Sequence, residues 1–249
     1  MKKESIVIHI PHSATFIPEF VRREMLVSDR ELQQDTLAFT DWRTRDIFTH
    51  VDFPNRIVYP VSRMVCDPER FRSDEQELMS RIGIGVVYER DCFLRPLRKT
   101  DRMQRELLLR LYYDPHHRKL AECVRRQIER HGSCLIVDAH SFPATPLPYE
   151  PDQSPERPDI CIGTCREHTP KVLERRAVRF FENLGMSVSV NAPYSGTMVP
   201  MRHWGDPRVQ SIMVEINRAL YRKPEAMEAA DGYGFIKRMT HDFLLCLAG

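Results

Sequence analysis

Short β-branched runs alternate along this chain with longer stretches whose apolar residues fall three and four apart, the pattern of strands exchanging with helices. Ile6-Val7-Ile8-His9-Ile10 ends at Pro11 and predicts a buried strand with His12 at its mouth. Residues Asp29 to Val51 read as helical, with Leu32, Leu37, Phe39, Ile47 and Phe48 as apolar markers and an interruption near Thr40-Asp41. Arg56 to Tyr59 predicts a second strand, followed by a further apolar stretch from Val61 to Val65. From about Asp67 to Tyr88 the chain is charged and weakly periodic, which predicts a long, partly helical excursion carrying site residues rather than core. Helices are expected from about Arg98 to Tyr113 and from about Pro115 to Arg130, with Gly132 stopping the second.

The clearest central strand is Ser133 to His140, nearly all apolar until it delivers Asp138 and His140. A proline-rich loop from Pro143 to Pro158 follows. Ile160 to Gly163 predicts a short strand, Lys171 to Leu184 a helix, Ser187 to Val190 a strand, and Ser211 to Ile216 a buried strand carrying one acid, Glu215. This alternation implies an α/β fold in one domain spanning residues 1–249, with a parallel or mixed sheet and helices on both faces. In such sheets ligands collect at the carboxyl ends of the strands.

Composition narrows the choice of partners. The formal charge is only +2, so no global field points to nucleic acid or an anionic membrane, and a small molecule is the expected ligand. No signal peptide and no membrane-spanning run is evident, so a cytoplasmic monomer or small homo-oligomer is expected. The seven cysteines form no tight pair and read as reduced thiols; Cys161 and Cys165, four apart with no second pair, are a weak metal signal.

His12, Asp138, His140 and Glu215 put metal-competent or acid-base groups at strand ends. A catalytic zinc needs about three imidazole or carboxylate ligands and an open position for water, and that water needs a base. Taken singly, each histidine is more often structural. Glu215 is more telling, because an ionised acid in an apolar strand requires a cation, a metal or a hydrogen-bonded site; an arginine partner remains the bland alternative. Arg63 and Arg70 flank Asp67, and Arg202 precedes His203 and Trp204. Each guanidinium suits a substrate carboxylate, although most arginines in such a chain solvate its surface.

An ordered series of short blocks over most of the chain resembles the zinc-dependent N-formylglutamate amidohydrolases, also called deformylases. The blocks are Pro11-His12-Ser13; Thr40-Asp41-Trp42 with Asp46; Ser62-Arg63-Met64-Val65-Cys66-Asp67-Pro68-Glu69-Arg70; Tyr113-Asp114-Pro115-His116-His117; and Asp138-Ala139-His140-Ser141. Pro158 to Thr164, Asn191-Ala192-Pro193-Tyr194-Ser195-Gly196 and Val214 to Tyr221 complete the order. The resemblance implies a phosphorylase/hydrolase-like three-layer α/β/α fold, shared with zinc carboxypeptidases, around a largely parallel mixed sheet. It also implies one zinc ion held by His12, Asp41 and His140, with Asp138 as the alternative to Asp41 or as a group orienting an imidazole.

By the same resemblance Glu215 is the general base and His117 a stabiliser of the oxyanion. Arg63, Arg70, Arg202 and Asn191 bind the substrate, and the reaction is hydrolysis of N-formyl-L-glutamate to formate and L-glutamate. Four positions depart from the pattern: Ala14 for glycine, Thr15 for the carboxypeptidase-type glutamate, Glu69 for asparagine and Ser195 for the first of two glycines. Those near the substrate side leave room for another N-acyl amino acid or a short peptide. A binding protein that kept the scaffold without catalysis is the remaining alternative.

Overall fold

A computed structural model describes residues 2–49, 52–224 and 226–249. Its elements in chain order are β1 (Ile6–Ile10), α1 (Glu19–Arg22), α2 (Asp29–Phe39), α3 (Thr44–Thr49), β2 (Asn55–Val58), α4 (Arg102–Leu108) and α5 (Asp114–His131). They continue with β3 (Cys134–Phe142), β4 (Ile160–Gly163), α6 (Lys171–Glu182), β5 (Val188–Val190), β6 (Val209–Asn217) and α7 (Tyr233–Ala248). The six strands make one sheet in the order β2-β1-β3-β6-β4-β5. All neighbours are parallel except β4 and β6, so the sheet is mixed and mostly parallel, as the alternation predicts.

Strand alternation sorts the side chains to two faces. Ile6, Ile8 and Ile10 of β1, Leu135 and Val137 of β3, and Ile212 and Val214 of β6 share a core with Ile47 of α3, Phe181 of α6 and Phe243 of α7. The opposite face carries Val7, Ile57, Cys134, Ile136 and Val209, covered by Leu120, Cys123, Val124 and Ile128 of α5. Each fully buried aliphatic side chain contributes roughly 1.5–3 kcal/mol, so both helical layers are held chiefly by this burial. The result is helix layers on both sides of the sheet. No helix among the described residues is long and apolar enough to cross a membrane.

Several boundaries differ from the sequence pattern for physical reasons. The expected helix from Asp29 splits into α2 and α3: Ser28 and Glu31 cap α2 reciprocally, and Arg43 takes a left-handed φ of 57° between the two. Val51, its expected end, lies outside the described residues. The stretch from Val61 to Val65 is turn and coil. In the excursion from Asp67 to Tyr88 the expected helix is only a 3-10 turn, Leu78–Ile82. Its last part is core after all, since Ile84, Val86, Val87 and Tyr88 are buried with Phe39, Tyr59 and Leu109.

The helix expected from Arg98 begins at Arg102 instead, where Asp101 caps it. Arg98 is buried and donates to the carbonyls of Tyr88, Met64 and Val65. After α4 a wide turn, Leu109–Tyr113, carries the helix directly into α5. Helix α7 has no counterpart in the sequence reading, although Ile236, Met239, Phe243 and Leu247 keep helical spacing and are buried.

Candidate active site

His9 on β1, Asp138 and His140 on β3, and Glu215 on β6 all lie on the sheet face that α5 covers, at the carboxyl ends of three adjacent parallel strands. Register places His9 beside Asp138 and His140 beside Glu215. Two loops complete the cluster. Just past β1, the His12 carbonyl accepts from the Asp41 amide at 3.0 Å, which pins the break between α2 and α3 against the strand mouth. The first part of the 67–88 excursion brings in Asp67, Glu69 and Arg70.

The two imidazoles of the proposed ligand set are oriented alike. His12 Nε2 lies 2.8 Å from Asp67 Oδ1, and His140 Nε2 lies 3.2 Å from Asp138 Oδ1 and 3.3 Å from Glu69 Oε2. A proton on each Nε2 satisfies these carboxylates, so that with a cation bound each Nδ1 would present its lone pair to it, displacing the hydrogen bond of His140 Nδ1 to Asp41. Both Nδ1 atoms turn toward Asp41 Oδ2, at 3.8 Å from His12 and 3.1 Å from His140. His12 Nδ1 is buried with no hydrogen-bond partner among the described residues. Tetrahedral zinc with bonds of about 2.0–2.1 Å separates its ligand atoms by about 3.3 Å. The observed spacings bracket that value, and an unpartnered buried nitrogen is what a bound cation would satisfy, so the residues present fit a divalent metal.

Electrostatics are extreme in this cluster. Burial and the nearby Arg63 guanidinium push the His12 pKa down. At His140 burial acts the same way, but the Asp138 and Glu69 carboxylates outweigh it and hold the pKa well above the usual range. Burial raises the pKa of Glu215 to about 8, with the Asp41 carboxylate adding to the rise against the pull of His140 and Arg218. Its Oε2 has no hydrogen-bond partner among the described residues. Asp67 is the opposite case: against burial, Arg63 and His12 hold its carboxyl far below the ordinary range.

A cavity of about 340 Å³ opens over the cluster, lined by His12, Asp41, His140 and Glu215 and by Arg63, Arg70 and Arg218 among others. Arg63 donates to Asp67 Oδ2 at 2.8 Å through Nη2 and to the Tyr88 hydroxyl at 2.9 Å through Nε. Arg70 is less committed: its Nε is buried without a hydrogen-bond partner among the described residues, 3.8 Å from Asp67, and its Nη1 is 3.6 Å from Glu77. Arg218 is anchored through Nη1 on the Ala38 and Thr40 carbonyls at 2.8 and 2.9 Å, while its Nε has no hydrogen-bond partner among the described residues.

Three sequence-predicted residues lie elsewhere. His117 donates from Nε2 to the Pro68 carbonyl at 2.8 Å and rests against Tyr113, so it braces the loop next to Glu69 and lines a neighbouring cavity. Arg202 is exposed on that second cavity. Asn191 occupies a left-handed turn after β5, where its side chain bridges to the Thr164 amide and hydroxyl. Gly163 is needed nearby because a Cβ there would stand 2.3 Å from the Gly196 carbonyl oxygen.

Four further residues of the site, Glu69, His9, His116 and Arg218, are not among those the sequence pattern predicts. His9 Nδ1 lies 2.9 Å from Asp138 Oδ1 and 3.3 Å from Glu69 Oε1, and its Nε2 lies 2.8 Å from His116 Nε2. His9, Glu69 and Asp138 form a second close donor group behind the first. The signals were the unusual Glu69 in an otherwise matched block, and a polar His9 at an inward position of an apolar strand.

The sequence model of the family described as FGase, N-formylglutamate amidohydrolase, matches residues 4–222. The chain belongs to the N-formylglutamate amidohydrolase family. Membership supports hydrolase activity. The crystal structure of N-formylglutamate amidohydrolase from Ralstonia eutropha JMP134 superposes with a TM-score of 0.83 at 21% identity, over 100% of this chain and 94% of that one. Gene product Atu2144 from Agrobacterium tumefaciens gives 0.68 at 16% identity, over 100% of this chain and 93% of the other. These likenesses establish a common fold. No curated protein matches the chain.

Proposed function

We propose that this chain hydrolyses the amide bond of an N-acyl amino acid, with N-formyl-L-glutamate the first substrate to test, using one divalent metal held by His12, Asp41 and His140. The observation that carries this reading is the shared orientation of the two imidazoles, each Nδ1 turned to Asp41 and each Nε2 occupied by a carboxylate, with an unpartnered Glu215 beside them. Two histidines and a carboxylate favour zinc. Such a cation, when bound, supplies Lewis acidity toward water and the amide carbonyl.

The chain's own groups do the rest. Glu215 takes a proton from the attacking water at its carboxylate and returns it to the departing amine nitrogen, so water adds across the C–N bond to give acid and free amine. Its buried setting keeps it basic enough for the first transfer. Asp67 and Asp138 fix the tautomers of His12 and His140. Arg70, whose ion pairs are long and whose Nε is free, holds the substrate carboxylate and so orients the scissile bond. Arg63 is spent on Asp67 and Tyr88, and positions Asp67 rather than substrate.

The test is formate release from N-formyl-L-glutamate before chelation, after chelation and after zinc is restored. Release that follows the metal supports the reading; release unaffected by exhaustive metal removal rejects it. Glu215→Gln should keep its metal and lose about 10²- to 10⁴-fold in kcat. Unchanged turnover in that variant would remove Glu215 from the chemistry.

A further inference from the structure

A second cavity, of about 670 Å³, adjoins the first, and the two share Glu69, Arg70, Ser195 and Met213 as common wall. Its character is different. Tyr113, Met198, Val199, Met201, Trp204 and Met213 make an apolar lining, and Met201 and Trp204 are 74% and 48% exposed. Large apolar side chains left accessible around a concavity mark a ligand surface more often than a solvated one.

Cations stand at its edge. Arg118 and Arg202 are exposed there and make no hydrogen bond or short ion pair among the described residues. The other charged groups on its wall are engaged: Arg72 with Glu106 and Asp114, Glu69 with His9 and His140, and Glu122 with Arg125, the Arg202 charge adding a smaller pull on Glu122. With Arg70 at the shared wall, three guanidiniums remain for an anion next to an apolar floor.

Resting on the hydrolytic reading above, we propose that this second cavity receives the amino-acid arm of the substrate. The preferred substrate is then an N-acyl derivative of an amino acid with a large apolar side chain. That side chain lies on the Met198, Met201 and Trp204 floor, the α-carboxylate faces Arg70, Arg118 and Arg202, and the acyl group and scissile amide occupy the smaller cavity over His12, Asp41, His140 and Glu215. Each methylene buried on such a floor favours binding about fourfold. A glutamate side chain gains nothing from it.

The experiment has two readouts on the full-length, zinc-loaded protein. The first is kcat/KM for formate release along N-formylglycine, N-formyl-L-alanine, N-formyl-L-norleucine and N-formyl-L-phenylalanine, with N-formyl-L-glutamate alongside. The second is tryptophan fluorescence, which reports this cavity because the chain's other tryptophan, Trp42, is buried against Tyr221.

Norleucine and phenylalanine derivatives should exceed the alanine derivative at least tenfold and should quench Trp204 saturably, the quench disappearing in Trp204→Phe. The double variant Arg118→Glu/Arg202→Glu should weaken binding at least tenfold. A flat or falling series, or no saturable quench, overturns the proposal while leaving turnover of N-formyl-L-glutamate to support the hydrolytic reading. Side-chain-dependent quenching without release from any substrate keeps the apolar subsite and rejects the hydrolytic reading.

Discussion

Asp67 divides its two oxygens with little to spare: Oδ1 accepts from His12 Nε2 and from the Glu69 amide, and Oδ2 from Arg63 and the Tyr88 hydroxyl. One carboxylate therefore sets the tautomer of a proposed metal ligand, the path of the loop that carries Glu69, and the conformation of the part-buried Arg63. Replacing Asp67 with Asn removes the charge but keeps the shape. The amide no longer balances Arg63, and it can present a donor where His12 presents one. Zinc affinity should fall about 10- to 100-fold, the scale seen when a ligand's carboxylate partner is lost. Competition against a chromogenic chelator measures this, and an unchanged zinc constant would mean that Asp67 serves only the loop.

Residue type made the inner cluster legible from sequence. His12, His140 and Glu215 sit at strand ends or just past them, where chain direction alone brings side chains together, and Asp41 sits at the interruption of the helical pattern near Thr40-Asp41, which the structure pins against the mouth of β1. The substrate contacts were less legible, because Arg70, Arg202 and Asn191 ride on irregular loops whose course depends on packing rather than on periodicity. Arg70 reaches the cavity because the 67–88 segment is anchored by Ile84, Val86 and Tyr88, while Asn191 is turned aside to Thr164.

At the scale of elements, α2 is tied to the loop before α4 by Asp35, which is buried, accepts from Arg95 at 3.2 Å and from the Cys92 thiol at 3.3 Å, and leaves Oδ2 without a partner. Burial first, and then the Asp91 carboxylate, raise its pKa from 3.8 to about 6. A carboxyl that holds its proton more tightly folded than unfolded favours the native state below about pH 4. That contribution is lost as pH rises through about 6. With the part-exposed Arg95 guanidinium screening the charged form, the loss is on the order of 1–2 kcal/mol. Urea denaturation at pH 4 and pH 7 should show the parent losing that much stability relative to Asp35→Asn. Parallel pH dependences would exclude Asp35 as the titrating group.

Helix α7 shows what a strand-centred reading overlooks. Phe243 is fully buried between Phe180 and Phe181, with ring centroids 5.3 and 4.7 Å away. Its apolar residues keep helical spacing, but it lies beyond the blocks that carry the family resemblance, which end at Tyr221. Phe243→Ala should cost about 3–5 kcal/mol, the range for truncating a buried phenylalanine. A change in the urea midpoint without a change in slope would show that α7 folds with the sheet; a two-step transition would show that it melts separately.

For the molecule as a whole, the sheet gathers charge that its interior disfavours. Asp41, Asp67, Glu69, Asp138 and Glu215 crowd one end, against Arg63, Arg70, Arg218 and three histidines. Most of these groups have partners, but among the described residues His12 Nδ1 and Glu215 Oε2 have no hydrogen-bond partner, so the fold leaves part of its electrostatic balance to whatever enters the site. A cation bound only by the native state stabilises it by about 2.7 kcal/mol at a concentration one hundred times its dissociation constant. For a chain of this length each kcal/mol moves the midpoint by about 2–4 °C. Exhaustive chelation should therefore lower Tm by about 5–10 °C, and stoichiometric zinc should restore it. Asp41→Ala should abolish the zinc-dependent rise, whereas a zinc shift that survives in that variant would move the metal to the neighbouring His9, Glu69 and Asp138 group.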